Sequence, residues 1–127
     1  MSRTIITALA LATAAAGLSV AGATTAAAQQ SGSYPLSPGH GQCTHSQYAA
    51  YQVRGEATAS TTDGAKFKLV RNGVVVVNTP NRQPTWTIEL RSAYGNFPGP
   101  GYYSLCAQNT GTKNTIVSLI LRTDSEF

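Results

Sequence analysis

AKFKLVRNGVVVVN, residues 65–78, decides the class of fold. Ala65, Phe67 and Leu69 alternate with Lys66 and Lys68, the period of a strand with one face turned inward. Asn72-Gly73 follows, and then Val74 to Val77. An Asn-Gly pair between two such runs predicts a two-residue hairpin, because a type I′ turn needs positive φ at both central positions.

Downstream the same period recurs. In TWTIELR (85–91), Trp86, Ile88 and Leu90 share one face, and Thr85, Thr87, Glu89 and Arg91 the other. Pro80 and Pro84 bracket the connection TPNRQP, removing two amide donors and so ending any ladder there. GYYSLCAQN (101–109) and NTIVSLILR (114–122) read as two more strands joined around Thr110-Gly111. Upstream, the stretch from Tyr48 to Thr58 has strand character, with Tyr48, Tyr51 and Val53 in its first half and Gly55 as an expected bulge or bend. Thr61-Thr62-Asp63-Gly64 is turn chemistry. No helical period longer than a turn or two follows residue 28. The pattern predicts an all-β chain: a small antiparallel β-sandwich, immunoglobulin-like in the broad sense. Two departures from a true immunoglobulin domain are visible. Trp86 lies far from Cys43, and Ser104 occupies the place of the corner tyrosine two residues before Cys106.

Two runs are apolar on successive residues, Val74–Val77 and Ile116–Leu121. A half-solvated strand should alternate, so both faces need cover, either from the chain itself or from a partner. If the two runs were neighbours they would form an adhesive sheet.

The chain has 127 residues and a net charge of +4, with only 11% charged residues. Eleven of the 18 Ala lie in residues 1–28, MSRTIITALALATAAAGLSVAGATTAAA, where Arg3 is the sole charge. An apolar stretch from Ile5 to Ala23 ends in Ala26-Ala27-Ala28, small side chains that suit a signal peptidase. A membrane anchor is the alternative, but Thr and Gly content and the lack of a charged stop oppose it. No Cys follows directly, which argues against a lipid anchor. The expected organisation is an export signal at 1–28, a flexible arm at 29–42 and the sandwich at 43–127. A body of that size excludes two ordinary domains or a large catalyst.

Export makes the two cysteines interpretable. A Cys43–Cys106 disulfide is expected, and it would stabilise so small a fold by about 4 kcal/mol. His40, Cys43 and His45, in H-x2-C-x-H, offer the sharper alternative of a metal site. They lack an obvious fourth ligand, so no metal or other cofactor is expected.

The arm reads QQSGSYPLSPGHGQ, residues 29–42. Its Pro, Gly and Ser argue against a helix or a packed strand. It is either a flexible leader or a peptide-like arm that docks Tyr34, Pro35 and Leu36 into a partner. The loop SAYGNFPGP, residues 92–100, carries Tyr94, Phe97, Pro98 and Pro100, more apolar groups than a solvated turn needs. Either Phe97 or Tyr94 tucks over the open end of the sandwich, or the loop binds protein or sugar.

Catalysis is not expected. Of Glu56, Asp63, Glu89, Asp124 and Glu126, only Glu56 and Glu89 could face each other. Neither is placed near His40 or His45, and no G-x-S-x-G, H-E-x-x-H or phosphate-binding loop occurs. Nucleic acid is not an expected partner either. Lys66, Lys68 and Arg71 form one modest patch on a hairpin, where charge protects an edge from aggregation.

An Ala-rich export signal, a polar arm with Tyr34-Pro35-Leu36 and a one-disulfide sandwich together resemble the small adaptor subunit of umbrella-shaped toxin particles secreted by actinobacteria. The resemblance covers the layout from Gln29 to Phe127. It implies a secreted adaptor linking a lectin subunit to a repeat-containing toxin subunit. The arm would insert into one partner, and an exposed strand edge would pair with the other. Two further readings stay open: an inhibitor of a secreted protease or amylase that uses the 92–100 loop as a plug, and a carbohydrate- or wall-binding module.

Overall fold

The computed structural model describes residues 29–126. The predicted export segment, 1–28, lies outside the described residues. The strands are β1 (Gln29–Leu36), β2 (Gly41–Cys43), β3 (Gln47–Ala49), β4 (Gln52–Ala59), β5 (Lys66–Arg71), β6 (Val74–Asn78), β7 (Thr85–Arg91), β8 (Gly101–Gln108) and β9 (Thr115–Thr123). Short 3-10 turns cover Ser92–Tyr94 and Asp124–Glu126. Among the described residues there is no α-helix, and none long and apolar enough to cross a membrane.

Two antiparallel sheets pack face to face, as the alternation predicts. One has the order β1-β9-β4-β7. In the other, β2 and β3 follow each other along one side of β8, with β5 and β6 beyond it. Val53, Ala57, Val117, Leu119 and Leu121 point inward from the first sheet, and Phe67, Leu69, Tyr103, Leu105 and Ala107 from the second. Burying each of the larger side chains contributes roughly 1.5–3 kcal/mol. Gly55 is no bulge: it stands in regular register between Ile88 and Leu121. A Cβ there would come within 3.1 Å of Leu105 Cδ1 and 3.2 Å of Ile88 Cγ2, so the missing side chain admits Leu105 from the facing sheet.

The hairpin forms as expected, with φ of 49° at Asn72 and 83° at Gly73. The valine run has a cause the sequence did not suggest. Leu69 faces Val77 and Val70 faces Val75, so Val76 is an extra residue in β6. This bulge turns Val76 and Val77 onto the core and leaves Val74 and Val75 exposed. The two apolar runs are not neighbours, because β6 and β9 lie in different sheets.

The expected flexible arm is instead a strand. Gln29–Leu36 pairs residue for residue with β9, from Gln29 opposite Arg122 to Leu36 opposite Thr115. β9 thereby becomes a central strand between β1 and β4, and its run divides by face: Val117, Leu119 and Leu121 are buried, whereas Ile120 is half-buried and Ile116 exposed on the outer face. The prolines do not prevent this. Ile116 uses its carbonyl to accept from Ser60 N on the β4 side (2.9 Å), so Pro35, opposite it on β1, needs no N–H. Leu36 is only 5% exposed and belongs to the core.

Cys43 and Cys106 form the expected disulfide. They face each other across β2 and β8, so the bridge clips an edge strand within one sheet and does not join the two sheets. Its formation removes the thiol from the H-x2-C-x-H group. Among the described residues, no three His, Cys, Asp or Glu side chains cluster as metal ligands do.

Candidate functional site

Strand directions bring the β3–β4, β5–β6 and β7–β8 connections to one end of the sandwich. Ser92 N donates to Tyr51 O (2.9 Å), and Asn72 N to Tyr102 O (2.8 Å). Six exposed large apolar side chains lie at this end: Tyr48, Tyr102, Val74 and Val75 on the second sheet, Tyr51 on the β3–β4 connection, and Tyr94, whose hydroxyl donates to Glu89 Oε2 (3.4 Å) on the outer face of the first sheet. Ile116, at the opposite end, stands apart from them.

The sheet dictates the first aromatic pair. Tyr102 and Tyr103 are adjacent in β8, so they face opposite ways. Tyr103 enters the core, and Tyr102, 60% exposed, meets Tyr48 from β3 edge-on with ring centres 5.3 Å apart. Beside them a shallow concavity of about 390 Å3 is lined by the disulfide, Lys68, Val70, Val75 and Ser104, among others.

The connections beside these side chains, which carry Tyr51 and Tyr94, are held firmly. Asp124, at φ 53°, accepts through its carboxylate from Ala50 N (2.9 Å) and Tyr51 N (3.0 Å). Asn96 Oδ1 accepts from Arg91 N (2.8 Å), and its amide also donates to Glu89 O (3.4 Å). Arg71 donates to Gly99 O (3.2 Å) and Pro100 O (2.8 Å). Tyr103 OH donates to Gly99 O at 2.6 Å, taking the part of a corner tyrosine one residue earlier in the chain than Ser104. Burial pushes the Tyr103 phenol above its ordinary value, and Arg71 beside it offsets part of that rise.

The 92–100 loop divides accordingly. Phe97 stacks on Tyr103 with ring centres 5.8 Å apart and closes the end of the sandwich. Tyr94 (63% exposed), Pro98 and Pro100 remain outside. The Arg91 guanidinium lies 5.3 Å from the centre of the Tyr94 ring.

The arm residues do not join this site. Leu36 lies at the opposite end of the sandwich, in the core, with Pro35 exposed and Tyr34 half-buried. Sequence reasoning missed Tyr48, Tyr51, Tyr102, Val74 and Val75 as surface residues. The adjacent Tyr102-Tyr103 pair in a strand was a usable signal, since one of the two must face out.

Glu56 and Glu89 do share the outer face of the first sheet, but in a ladder of ion pairs. Arg122 meets Glu56 (2.9 Å), Arg54 meets Glu56 (2.7 Å) and Glu89 (3.0 Å), and Arg91 meets Glu89 (2.6 Å). Each carboxylate is thus held between two guanidinium groups.

The sheet edges differ in accessibility. β6 is interrupted by its bulge, and β7 is capped by the Asn96 amide at one end and by Gln83 Nε2 donating to Thr85 O (2.8 Å) at the other. The outer edge of β1 before Pro35 carries neither device. No protein-family model matches the chain, and a search of curated proteins found no match.

Proposed function

We propose that this chain is an exported, non-enzymatic protein-binding adaptor that holds a partner at its tyrosine-rich end. The observation that carries this reading is the exposure of Tyr48 and Tyr102, with Val74 and Val75, at strand ends beside connections tied down by Asp124, Asn96 and Arg71, and of Tyr51 and Tyr94 on those connections. Tyrosine supplies large contact area with few rotatable bonds, and a rigid frame lowers the entropy lost on binding. The edge-on arrangement of Tyr48 and Tyr102 favours a protein over a sugar, because it offers no coplanar platform for a pyranose ring. The ion-paired state of Glu56 and Glu89 supports a non-catalytic role. Export is supported by the Ala-rich leader and the disulfide.

An adaptor between a lectin and a repeat-containing toxin subunit needs two contacts. The tyrosine-rich end supplies one, and the outer edge of β1 is where strand augmentation would meet the least obstruction. The test is co-purification of tagged chain from its native culture medium, comparing wild type with a Tyr48→Ala, Tyr102→Ala variant. Loss of stoichiometric partners in the variant is expected, and their full retention overturns the reading. A hydrolase inhibitor is the second reading, favoured by the rigidity that Tyr103 and Arg71 give the 92–100 loop. Inhibition of a secreted protease or amylase that is lost in Tyr94→Ala would establish it instead.

A further inference from the structure

β1 is attached to the body more lightly than its length suggests. Its inward positions are Gln30, Gly32, Tyr34 and Leu36, and of these only Leu36 is buried. Gly32 brings no side chain, and the Tyr34 ring folds back over it, into the space a Cβ would need. Gln30 reaches only Gln47, at 3.2 Å. Beyond the ladder to β9, the strand is fastened by Tyr34 packing against the core, by Asn109 Nδ2 donating to Leu36 O (2.9 Å) and by the Ser33 and Ser118 hydroxyls, 2.9 Å apart. The connection onward to β2 contains Pro38, follows Pro35 closely, and places Gly39 at φ 86°. Within that turn His40 N donates to Ser37 O (3.1 Å) and Ser37 Oγ pairs with His40 Nδ1 (2.9 Å), while Gly39 and His40 are tied to the body by Gly39 N donating to Asn109 O (2.8 Å), Asn109 N to His40 O (2.9 Å) and Gln108 Nε2 to Gly39 O (3.0 Å).

We propose that two copies of this chain exchange β1, each laying Gln29–Leu36 against β9 of the other. The exchanged strand repeats every contact of the closed form, including the ladder, the Leu36 seat and the Ser33–Ser118 pair. Only Ser37 and Pro38 change course: water replaces the two Ser37–His40 hydrogen bonds, and Gly39 and His40 keep theirs to Asn109 and Gln108 of their own copy. Proline holds φ near its extended value and drives the residue before it toward extended backbone, so Pro35 and Pro38 favour the open connection. Exchange of an identical element is a low-cost route to a dimer, and a short connection invites it. The occupant is a second copy because the one strand known to fit this site is the chain's own. The inference does not depend on the adaptor reading.

The experiment uses light scattering after size exclusion on the exported chain over a wide concentration range, together with a Ser33→Cys, Ser118→Cys variant. Those residues face each other in a pair without backbone hydrogen bonds between them, a geometry that accepts a disulfide. A slowly exchanging dimer is expected, and its oxidised variant should run as a covalent dimer whose new bond joins position 33 of one copy to position 118 of the other. Monomer at every concentration overturns the proposal, as does a dimer whose oxidised variant runs as a monomer. Should that variant not fold, inserting Gly-Gly-Ser after Pro38 relaxes the closed turn and should empty the dimer peak. An unchanged dimer fraction then overturns the proposal.

Discussion

The two ends of this sandwich use similar short connections and put their side chains to opposite uses. At the end holding residues 60–64, 79–84 and 109–114, polar side chains turn inward to serve the backbone. Asn109, buried, donates to Leu36 O (2.9 Å) and Lys113 O (2.8 Å) and accepts from Gly111 N (3.0 Å), closing its own connection and tying it to β1. Thr79 Oγ1 accepts from Phe67 N (3.0 Å). Gly64, at φ 73°, passes so close to Gln83 that a Cβ would sit 2.0 Å from its carbonyl oxygen. Apart from Ile116, what remains outside is mostly polar, around an open concavity lined by Asp63, Lys66 and Arg82 among others. At the other end the backbone is tied just as closely, yet the aromatic rings point outward. Folding does not require that: Tyr48, Tyr51, Tyr94 and Tyr102 could be polar without loss of core. Exposed apolar area that the fold does not need, on a frame that cannot collapse around it, is what the proposed partner contact would cover.

If that contrast is right, the largest effects on stability belong to the polar end. Asn109→Ala leaves Leu36 O, Lys113 O and Gly111 N without their partner and should cost about 3 kcal/mol in denaturant unfolding. Gly64→Ala, strained in φ and in space, should lower stability by about 2 kcal/mol or more. Losses below about 0.5 kcal/mol in both would remove the structural role assigned to that end.

The converse holds at the tyrosine-rich end. Tyr48→Ala with Tyr102→Ala should weaken partner binding by about 2 kcal/mol or more, roughly thirtyfold, while the unfolding midpoint stays nearly constant. A large fall in stability with unchanged binding would reverse the roles of the two ends.

Tyr103→Phe tests the frame beneath that surface. It keeps the stack with Phe97, deletes the hydrogen bond to Gly99 O, and should cost about 1 kcal/mol.

The smallest effect is a pH dependence. The folded state raises the Tyr103 phenol above 10.0, so the unfolded chain loses this proton first as pH rises. The associated stability is fully present below the unfolded value and declines as pH climbs from there toward the folded one. Unfolding followed above pH 10 should therefore show a shallower decline for Tyr103→Phe than for wild type. Equal slopes would mean that Tyr103 is no more protected than an exposed phenol.

Much of the fold was legible because alternation is a local property. Ala65, Phe67 and Leu69 against Lys66 and Lys68, and Trp86, Ile88 and Leu90 against Thr85 and Thr87, each carry their facing in the order of residues. Asn72-Gly73 carries its turn in the same way. The arm misled because Pro35 and Gly32 are poor strand residues by propensity, whereas an edge strand needs only alternate amides and takes its stability from the neighbour. The valine run misled because a bulge at Val76 shifts facing by one residue, and nothing local announces it. The site was half legible: Tyr94, Pro98 and Pro100 were found in a loop, where exposure is the default, but Phe97 was claimed by the core. Tyr48, Tyr51 and Tyr102 were missed because strand tyrosines read as core candidates until their facing is known.

The sequence by itself determined an all-β body, its first hairpin, the disulfide and the inward face of most strands, since each depends on neighbours in the chain or on a pairing with one possible outcome. Only the tertiary structure decided that residues 29–36 close one edge of a sheet, that the two apolar runs lie in different sheets, and that four tyrosines from three separate stretches share one end. Those outcomes depend on strand order and direction, which come from packing two sheets against each other and are not encoded in the period of any one strand.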